Sequence, residues 1–176
     1  MKIKGSQLLG VVKALRAQGS RARELTPARL QGYFEARILA PTWYPEADFR
    51  DLLLVLGRLS PNVKGNVWRR IGNMGAERDF KGIYAAMIRP GDPEGTVKLF
   101  PVGWRQYRDT SELMYEGLGA GAAQLSLREY PINCRELTEV NAGYFETALR
   151  LAGAAEPQVT VTMWDEGSAH WHLRWR

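Results

Sequence analysis

The chain has 176 residues, of which 45% are hydrophobic and 24% charged, a composition typical of globular proteins that argues against wholesale disorder. A chain of this length corresponds to one domain of ordinary size. Its formal net charge is +5, yet residues 1–37 carry +6 and the remaining 139 residues carry −1. The excess positive charge therefore belongs to the N-terminal segment and not to the body of the chain.

Hydrophobic periodicity in the first hundred residues predicts helices. Ser6 is the predicted N-cap of the first, Thr26-Pro27 pairs a capping hydroxyl with a proline at the start of the second, and Trp43-Tyr44-Pro45 predicts an aromatic turn into the third. Apolar residues at helical spacing place these helices, and two further ones, at about 6–19, 26–38, 46–57, 62–88 and 99–107.

After Tyr107 the hydrophobic period changes from 3.6 to 2, which predicts strands over 112–116, 123–128, 159–164 and 169–176. Val159, Val161 and Met163 alternate with polar or bulky residues and are expected to share one face of their strand. Between the second and third strands, Asn133 with Glu136 forms the pattern of a capping box, and a long helix is predicted over 133–152.

This long helix is expected to bury an apolar stripe, namely Leu137, Val140, Tyr144, Ala148 and Leu151. The predicted fold is α+β, with an N-terminal helical part (1–108) packed on a C-terminal four-stranded antiparallel sheet (109–176). The long helix lies between strands 2 and 3. Because no linker interrupts the chain, we expect residues 1–176 to form one domain.

The compartment follows from the single cysteine and from the absence of targeting signals. Cys134 cannot form an internal disulfide, which fits a reducing compartment. The apolar run after Lys4 is interrupted by Lys13 before it reaches the length of a signal peptide. No stretch of the sequence approaches the ~20 apolar residues of a membrane span. We therefore expect a cytoplasmic protein without membrane association.

The two histidines of the chain, His170 and His172, stand at i and i+2 and are expected on one face of the last strand. Two imidazoles there could form half of a metal site, but a complete site needs three or four ligands. Arg174 and Arg176 share the predicted face and would repel a cation. We therefore expect a solvated polar face and no metal.

Other catalytic patterns are equally incomplete. Ser168 lies near His170 in sequence, but the G-x-S-x-G turn of a serine nucleophile is absent. The glycine-rich run at 117–121 leads into a strand, so a hairpin turn is favoured over a phosphate loop. Cys134 follows the predicted N-cap, where the helix dipole would lower its thiol pKa, although a lone helical cysteine is usually a small buried apolar residue. We expect no enzyme and no cofactor.

Aromatic residues offer the best candidate for a binding site. Most of them fall at core-facing positions, and a packed aromatic core explains many of them. Six, however, come from the helical half or from its junction with the sheet, where an apolar ligand pocket is expected. These candidate ligand-binding residues are Trp43, Trp68, Tyr84, Phe100, Trp104 and Tyr107.

The basic N-terminal segment carries Lys13, Arg16, Arg21, Arg23 and Arg29. No base-reading or phosphate-tracking geometry can be identified for these residues, so nucleic-acid binding is not favoured. Solvated charges at helix ends, or an acidic protein partner, explain the pattern equally well.

Four segments resemble those of a bacterial family of short uncharacterised proteins: Lys4-Gly5-Ser6-x-Leu8, Trp43-Tyr44-Pro45, Phe100-Pro101-x-x-Trp104-x-x-Tyr107, and Glu166-Gly167 with Arg174-Trp175. That family is similar to the 4-vinyl reductase-type ligand-binding domain. The wider superfamily includes phenol-sensing regulators, haem-nitric-oxide-binding domains and the vesicle-tethering TRAPP subunits. The resemblance spans nearly the whole chain and implies the α+β fold predicted above, as well as a homodimer.

The metal groups of this superfamily are not implied here. In the zinc-binding branch Cys134 would be the first ligand, but the other positions fall at or near Thr160, Met163 and Trp171, which cannot complete a tetrahedral site. The haem branch implies a proximal histidine on a helix in the middle of the chain, and residues 1–169 contain none. The resemblance therefore implies the scaffold and its pocket without the metals.

We expect a non-catalytic regulatory or sensory domain that binds a small apolar ligand between helices and sheet. It would signal through its dimer or partner state. The alternative is a protein–protein adaptor of the tethering type that uses the basic N-terminal helices and needs no ligand.

Overall fold

The chain divides into two compact units in a computed structural model that describes residues 1–60, 65–82 and 84–176. The first unit comprises Met1–Val67 with Gln106–Thr110, and the second comprises Trp68–Arg105 with Ser111–Arg176. The predicted fold class is confirmed, because a helical N-terminal part precedes a four-stranded antiparallel sheet. Within the described ranges, no helix combines the length and the apolar character needed to cross a bilayer.

Two helices, α1 (Gly5–Arg16) and α3 (Glu46–Arg58), pack against each other in the first unit. Their apolar residues at helical spacing form the buried interface, as the sequence period predicts. The most deeply buried of these side chains, each at most 2% exposed, are Leu8, Val12, Leu15, Leu52 and Leu53.

The segment between these two helices differs from the prediction. A short helix, α2 (Ser20–Leu25), is present where no element was expected. The Thr26 hydroxyl donates to the carbonyl of Ala22 at 2.7 Å, so it closes α2 and does not cap the next helix. The next helix is a 3₁₀ helix, Ala28–Phe34, preceded by Pro27. The predicted N-cap of α1 is also wrong, because Ser6 lies inside the helix and the N-cap is Lys4.

A small sheet, formed by β1 (Lys2–Lys4) and β2 (Trp43–Pro45), replaces the predicted aromatic turn. The two strands are antiparallel, with Ile3 opposite Tyr44. Strands of three residues are too short to show alternation, which is why the sequence pattern missed them. Ile3 also forms an isolated antiparallel bridge with Arg108, so the 106–110 segment lies beside β1.

The 106–110 segment is held in the first unit by a buried ion pair. Arg108 Nε donates to Glu46 Oε1 at 2.7 Å, and their side chains are 8% and 0% exposed. The neighbouring Asp109 accepts a hydrogen bond from the backbone N–H of Lys2 at 2.6 Å. Because a buried charge is tolerated only when it is paired, each member of the Arg108–Glu46 pair requires the other.

The second unit contains the four-stranded sheet, whose strands lie close to their predicted positions: β3 (Glu112–Gly117), β4 (Ala122–Arg128), β5 (Gln158–Trp164) and β6 (Ala169–Arg174). Their order in the sheet is β3-β4-β6-β5, and every neighbouring pair is antiparallel. Between β4 and β5 runs a long helix, α7 (Arg135–Leu151), which covers one face of the sheet.

Three further helices lie mainly in the second unit: α4 (Val67–Phe80), α5 (Pro93–Lys98) and α6 (Phe100–Tyr107). Val67 and the last two residues of α6 belong to the first unit. The helix predicted over 62–88 is therefore shorter, and the 3₁₀ helix Ala85–Met87 comes after it. Residues 62–64 and 83 of the predicted stretch lie outside the described residues.

The helix α7 packs with one face on the sheet and with another on α4, and the predicted single apolar stripe is partly wrong for that reason. Phe145, Ala142 and Leu149 are at most 3% exposed, whereas Val140 and Tyr144 are only half-buried and lie against α4. A helix that packs on a sheet and on a second helix has a broad buried surface, so a single stripe cannot describe it.

Two glycines allow α4 and α7 to approach closely. A Cβ at Gly72 would overlap the carbonyl oxygen of Val140, and a Cβ at Gly143 would overlap that of Arg69. Ion pairs stand at both ends of this contact: Arg69 with Glu139 at 2.6 Å, and Arg150 with Glu77 at 2.9 Å.

We predict that Gly72→Ala destabilises the protein by ~1–3 kcal/mol, because the added methyl group must push α4 away from α7. Gly75→Ala is the matched control on the same helix, since a Cβ there meets nothing within 4 Å. The control should be neutral or stabilising by up to ~1 kcal/mol through helix propensity. Urea unfolding followed by circular dichroism measures both, and equal effects would contradict the close helix contact.

We also predict that Arg108→Ala costs ~3–5 kcal/mol, because it leaves the Glu46 carboxylate buried without its cation. Arg105→Ala is the control. Its ion pair with Glu112 is formed by side chains that are 67% and 51% exposed, and such pairs contribute at most ~1 kcal/mol. If both variants unfold at the same urea concentration, the buried pair does not hold the 106–110 segment in place.

Candidate functional site

The six aromatic residues predicted to bind a ligand are divided between the two units. Trp43 and Tyr107 belong to the first unit, and Trp68, Tyr84, Phe100 and Trp104 belong to the second. Trp43 is 38% exposed, with Lys4 Nζ 4.0 Å from the centre of one of its rings, and Tyr107 is buried. Trp68 and Tyr84 are half-buried, at the start of α4 and just before the 3₁₀ helix Ala85–Met87.

Phe100 and Trp104 lie in the core of the second unit. Phe100 stacks on Phe145 with ring centroids 5.1 Å apart. Phe145 in turn meets Trp171 edge-on at 5.3 Å, and Trp104 meets Tyr130 edge-on at 5.9 Å. All five side chains are at most 4% exposed. We call these five residues the aromatic cluster.

The two indole N–H groups of the aromatic cluster donate hydrogen bonds within the protein. Trp171 Nε1 donates to the carbonyl of Thr138 on α7 at 3.0 Å. Trp104 Nε1 donates to the Ser111 hydroxyl at 2.9 Å. Buried indoles of this kind present apolar faces to their surroundings while their N–H groups are satisfied. The cluster is therefore an apolar environment with fixed ring orientations.

Sequence analysis found Phe100 and Trp104 but missed Phe145, Tyr130 and Trp171 as their ring partners. Trp171 was recognisable as an inward position of β6 from the alternation of that strand. Phe145 was missed because the apolar stripe predicted for α7 includes its neighbour Tyr144 instead. Tyr130 was missed because it lies in the loop between β4 and α7, where the sequence has no hydrophobic period.

The segment that leads into α7 has a structural role that differs from the predicted capping box. Asn133 Nδ2 donates to the carbonyls of Asp165 and Ser168 at 2.9 and 2.8 Å, and so holds the β5–β6 hairpin. Its Oδ1 accepts a hydrogen bond from the Thr138 hydroxyl at 3.2 Å. The N-cap of α7 is Cys134, without a side-chain capping bond. Because the Asn133 amide is committed to the hairpin, it does not cap the helix.

Cys134 is half-buried. Burial raises its thiol pKa above the ordinary value. The expectation that the helix dipole lowers this pKa is therefore wrong, because desolvation of the thiolate is the larger effect.

No group of three or more His, Cys, Asp or Glu side chains among the described residues could hold a metal ion. His170 and His172 stand on β6 opposite Ser126 and Gln124 of β4, on the sheet face that Trp171 does not share. Both are half-buried.

A small recess in the first unit is lined by Val12, Leu15, Tyr33, Phe34 and Leu52 and leaves no room for a water molecule. The Tyr33 hydroxyl donates to Asp48 at 2.8 Å, and burial, together with this bond, raises its pKa. The recess is a feature of side-chain packing and offers no space to a ligand in this conformation.

Three of the basic N-terminal residues make contacts within the first unit. Arg16 donates to the carbonyls of Tyr33 and Ala36 at 2.8 and 2.6 Å. Arg23 pairs with Glu35, and Arg29 pairs with both Asp48 and Asp51. These arginines therefore help to fold their own unit. Their proposed use by an acidic protein partner remains a prediction.

The chain belongs to a protein family described as "Protein of unknown function (DUF2378)", whose model matches residues 8–176. No curated protein matches the chain.

Solved H-NOX structures share the fold over nearly the whole chain. A mutant of T. tengcongensis H-NOX matches with a TM-score of 0.69 at 10% identity, covering 99% of this chain and 98% of that one. An Fe(II) unliganded H-NOX mutant from K. algicida matches with a TM-score of 0.72 at 10% identity, covering 99% and 97%. An oxygen-binding H-NOX domain related to soluble guanylate cyclases, in its oxygen complex, matches with a TM-score of 0.67 at 11% identity, covering 99% and 95%.

At these identities the likeness establishes the fold alone. Kinship with the haem-nitric-oxide-binding, 4-vinyl reductase-type and TRAPP domains of the superfamily named above remains a prediction.

One of the H-NOX structures that share this fold concerns haem distortion in the H-NOX family. Haem iron is commonly held by histidine or by a cysteine thiolate in an apolar pocket. The two histidines of this chain stand on a strand among polar neighbours. Burial raises the pKa of the Cys134 thiol, which disfavours the thiolate form. These residues do not fit a haem ligated by histidine or thiolate.

We predict that Cys134 reacts with iodoacetamide more slowly than a free cysteine at pH 7.5. The raised pKa leaves less thiolate, and the half-buried sulfur is less accessible. The pH at which alkylation reaches half its maximal rate should also lie above that of a free cysteine. Unfolding in urea should restore the ordinary rate, and a native rate equal to the unfolded one would contradict the assignment.

Proposed function

We propose that this member of the DUF2378 family is a non-catalytic sensory domain that binds a small apolar ligand other than haem. The observation that carries the proposal is the fold, which the chain shares over 99% of its length with H-NOX domains, one of them described as binding oxygen. The apolar aromatic cluster of the second unit supports the chemical class of the ligand.

The proposed site is the aromatic cluster together with Trp68 and Tyr84. Phe100 and Trp104 would provide fixed ring surfaces on which an apolar molecule can stack. Trp68 and Tyr84 are half-buried in the same unit, and their part in binding is kept as a prediction. Trp43 and Tyr107 belong to the first unit, and their part in binding is left as a prediction.

Signalling would follow from a shift in population between two states of the protein. A ligand that lies against Phe100 must displace or rearrange the ring contact with Phe145, because both rings are buried. Two arrangements of a packed core differ discretely and not continuously. Each arrangement could favour a different dimer or partner state, in a reducing, cytoplasmic setting that suits the single cysteine.

The test uses 1-anilinonaphthalene-8-sulfonate as an apolar probe, with native mass spectrometry to detect any co-purified molecule. Phe100→Leu keeps an apolar side chain but removes the ring. We expect it to raise the dissociation constant of the probe about three- to tenfold, since an aromatic contact contributes ~0.5–1.5 kcal/mol beyond area burial. Trp164→Leu is the control, because Trp164 is 46% exposed at the end of β5.

Circular dichroism must show that both variants are folded at the assay temperature. Equal probe affinity in wild type, Phe100→Leu and Trp164→Leu, with only the bare chain detected in native mass spectra, would contradict the proposed function.

A further inference from the structure

The two histidines lie on β6, and both side chains are half-buried. β6 is an inner strand, paired with β4 on one side and with β5 on the other. Trp171, between His170 and His172, is fully buried and bonded to α7. Because successive side chains alternate across a strand, both imidazoles occupy the opposite face. An anchored inner strand holds them in a fixed relation to each other.

The cross-strand neighbours of the two histidines are neutral. His170 stands opposite Ser126 on β4 and opposite Met163 on β5, while His172 stands opposite Gln124 and Thr160. Hydroxyl, amide and thioether groups supply oxygen and sulfur lone pairs. The four cross-strand partners of the histidines therefore supply weak metal-ligating atoms, and none of the four is a positively charged residue.

Met163 occupies this place because of an irregularity in β5. The register shifts between Val161, which stands opposite Trp171, and Met163, which stands opposite His170. With regular alternation along β5, the Met163 side chain would lie on the same face of the sheet as Val159 and Val161. A bulge of this kind changes the direction in which side chains point, and bulges are common beside binding sites.

Arg174 is the next residue after His172 on the same strand face, at the same spacing that separates the two histidines, and it stands opposite Ala122 and Gln158. Its side chain is exposed, so water and dissolved ions screen its charge. At the other end of the pair, the Asp165 carboxylate accepts hydrogen bonds from the backbone N–H groups of Gly167 and Ser168 at 2.8 and 2.7 Å.

We propose that His170 and His172 form a bidentate site for a borderline divalent transition metal ion, Cu²⁺ foremost. Two imidazoles at i and i+2 on one strand face can share one ion, and Cu²⁺ is bound most strongly by nitrogen ligands among first-row divalent metals. Water and one cross-strand donor complete its coordination. Such an open site exchanges its metal, in contrast to a closed structural site with four protein ligands.

This site is separate from the aromatic cluster, which lies on the α7 side of the sheet. It does not depend on the proposed sensory function, and it can be tested without an apolar ligand.

The experiment titrates the full chain with Cu²⁺ in a Cys134→Ala background, which removes thiol chemistry with copper. We expect one ion per chain by calorimetry. His170→Ala and His172→Ala should each weaken binding about tenfold or more, because the second arm of a chelate acts at high effective concentration. The double variant should lose the site. Arg174→Gln is the matched control on the same strand face and should bind within threefold of its parent.

Electron paramagnetic resonance of the Cu²⁺ complex gives an independent readout that does not depend on the variants. Its nitrogen hyperfine pattern should report two imidazole nitrogens. Stoichiometric copper binding that survives in the double variant would overturn the proposal. So would a spectrum with fewer than two nitrogens, or the absence of binding at 100-fold excess of copper.

Discussion

The buried ion pair between Arg108 and Glu46 is the constraint on which the path of the chain depends. The chain leaves the second unit after Arg105, contributes Gln106–Thr110 to the first, and returns at Ser111. Neither charge could be buried without the other, since an unpaired ion in a protein interior is far too costly. The pair therefore commits the 106–110 segment to the side of β1, where Ile3 and Lys2 bind its backbone and Asp109.

The second unit is organised by α7, which serves two partners at once. Phe145 faces the sheet and completes the ring contacts between Phe100 and Trp171. Gly143, two residues earlier, allows the α4 backbone to approach closely. The same helix thus connects the aromatic cluster to α4, and a rearrangement of the cluster would reach α4 through one rigid element. The proposed sensory function would use this connection.

The candidate site shows which parts of such a site are predictable. Phe100 and Trp104 are predicted because they lie where the helical half of the sequence meets the sheet-forming half. Their partners are not, because Phe145 and Tyr130 are 45 and 26 residues away from them and no local pattern specifies which distant ring fills the space. Asn133 illustrates the same limit. Its position suits a helix cap, but the β5–β6 hairpin offers two carbonyls that the isolated segment does not contain.

By itself, the sequence determined the α+β class, the order of the sheet-forming segments, the long helix and the shared face of His170 and His172. These follow from periods of 3.6 and 2, which are properties of neighbouring residues. Only the tertiary structure decided the Arg108–Glu46 pairing across 62 residues, the two packing faces of α7 and the bulge that sets Met163 opposite His170. These features depend on contacts between distant segments, whose free energy no local pattern encodes.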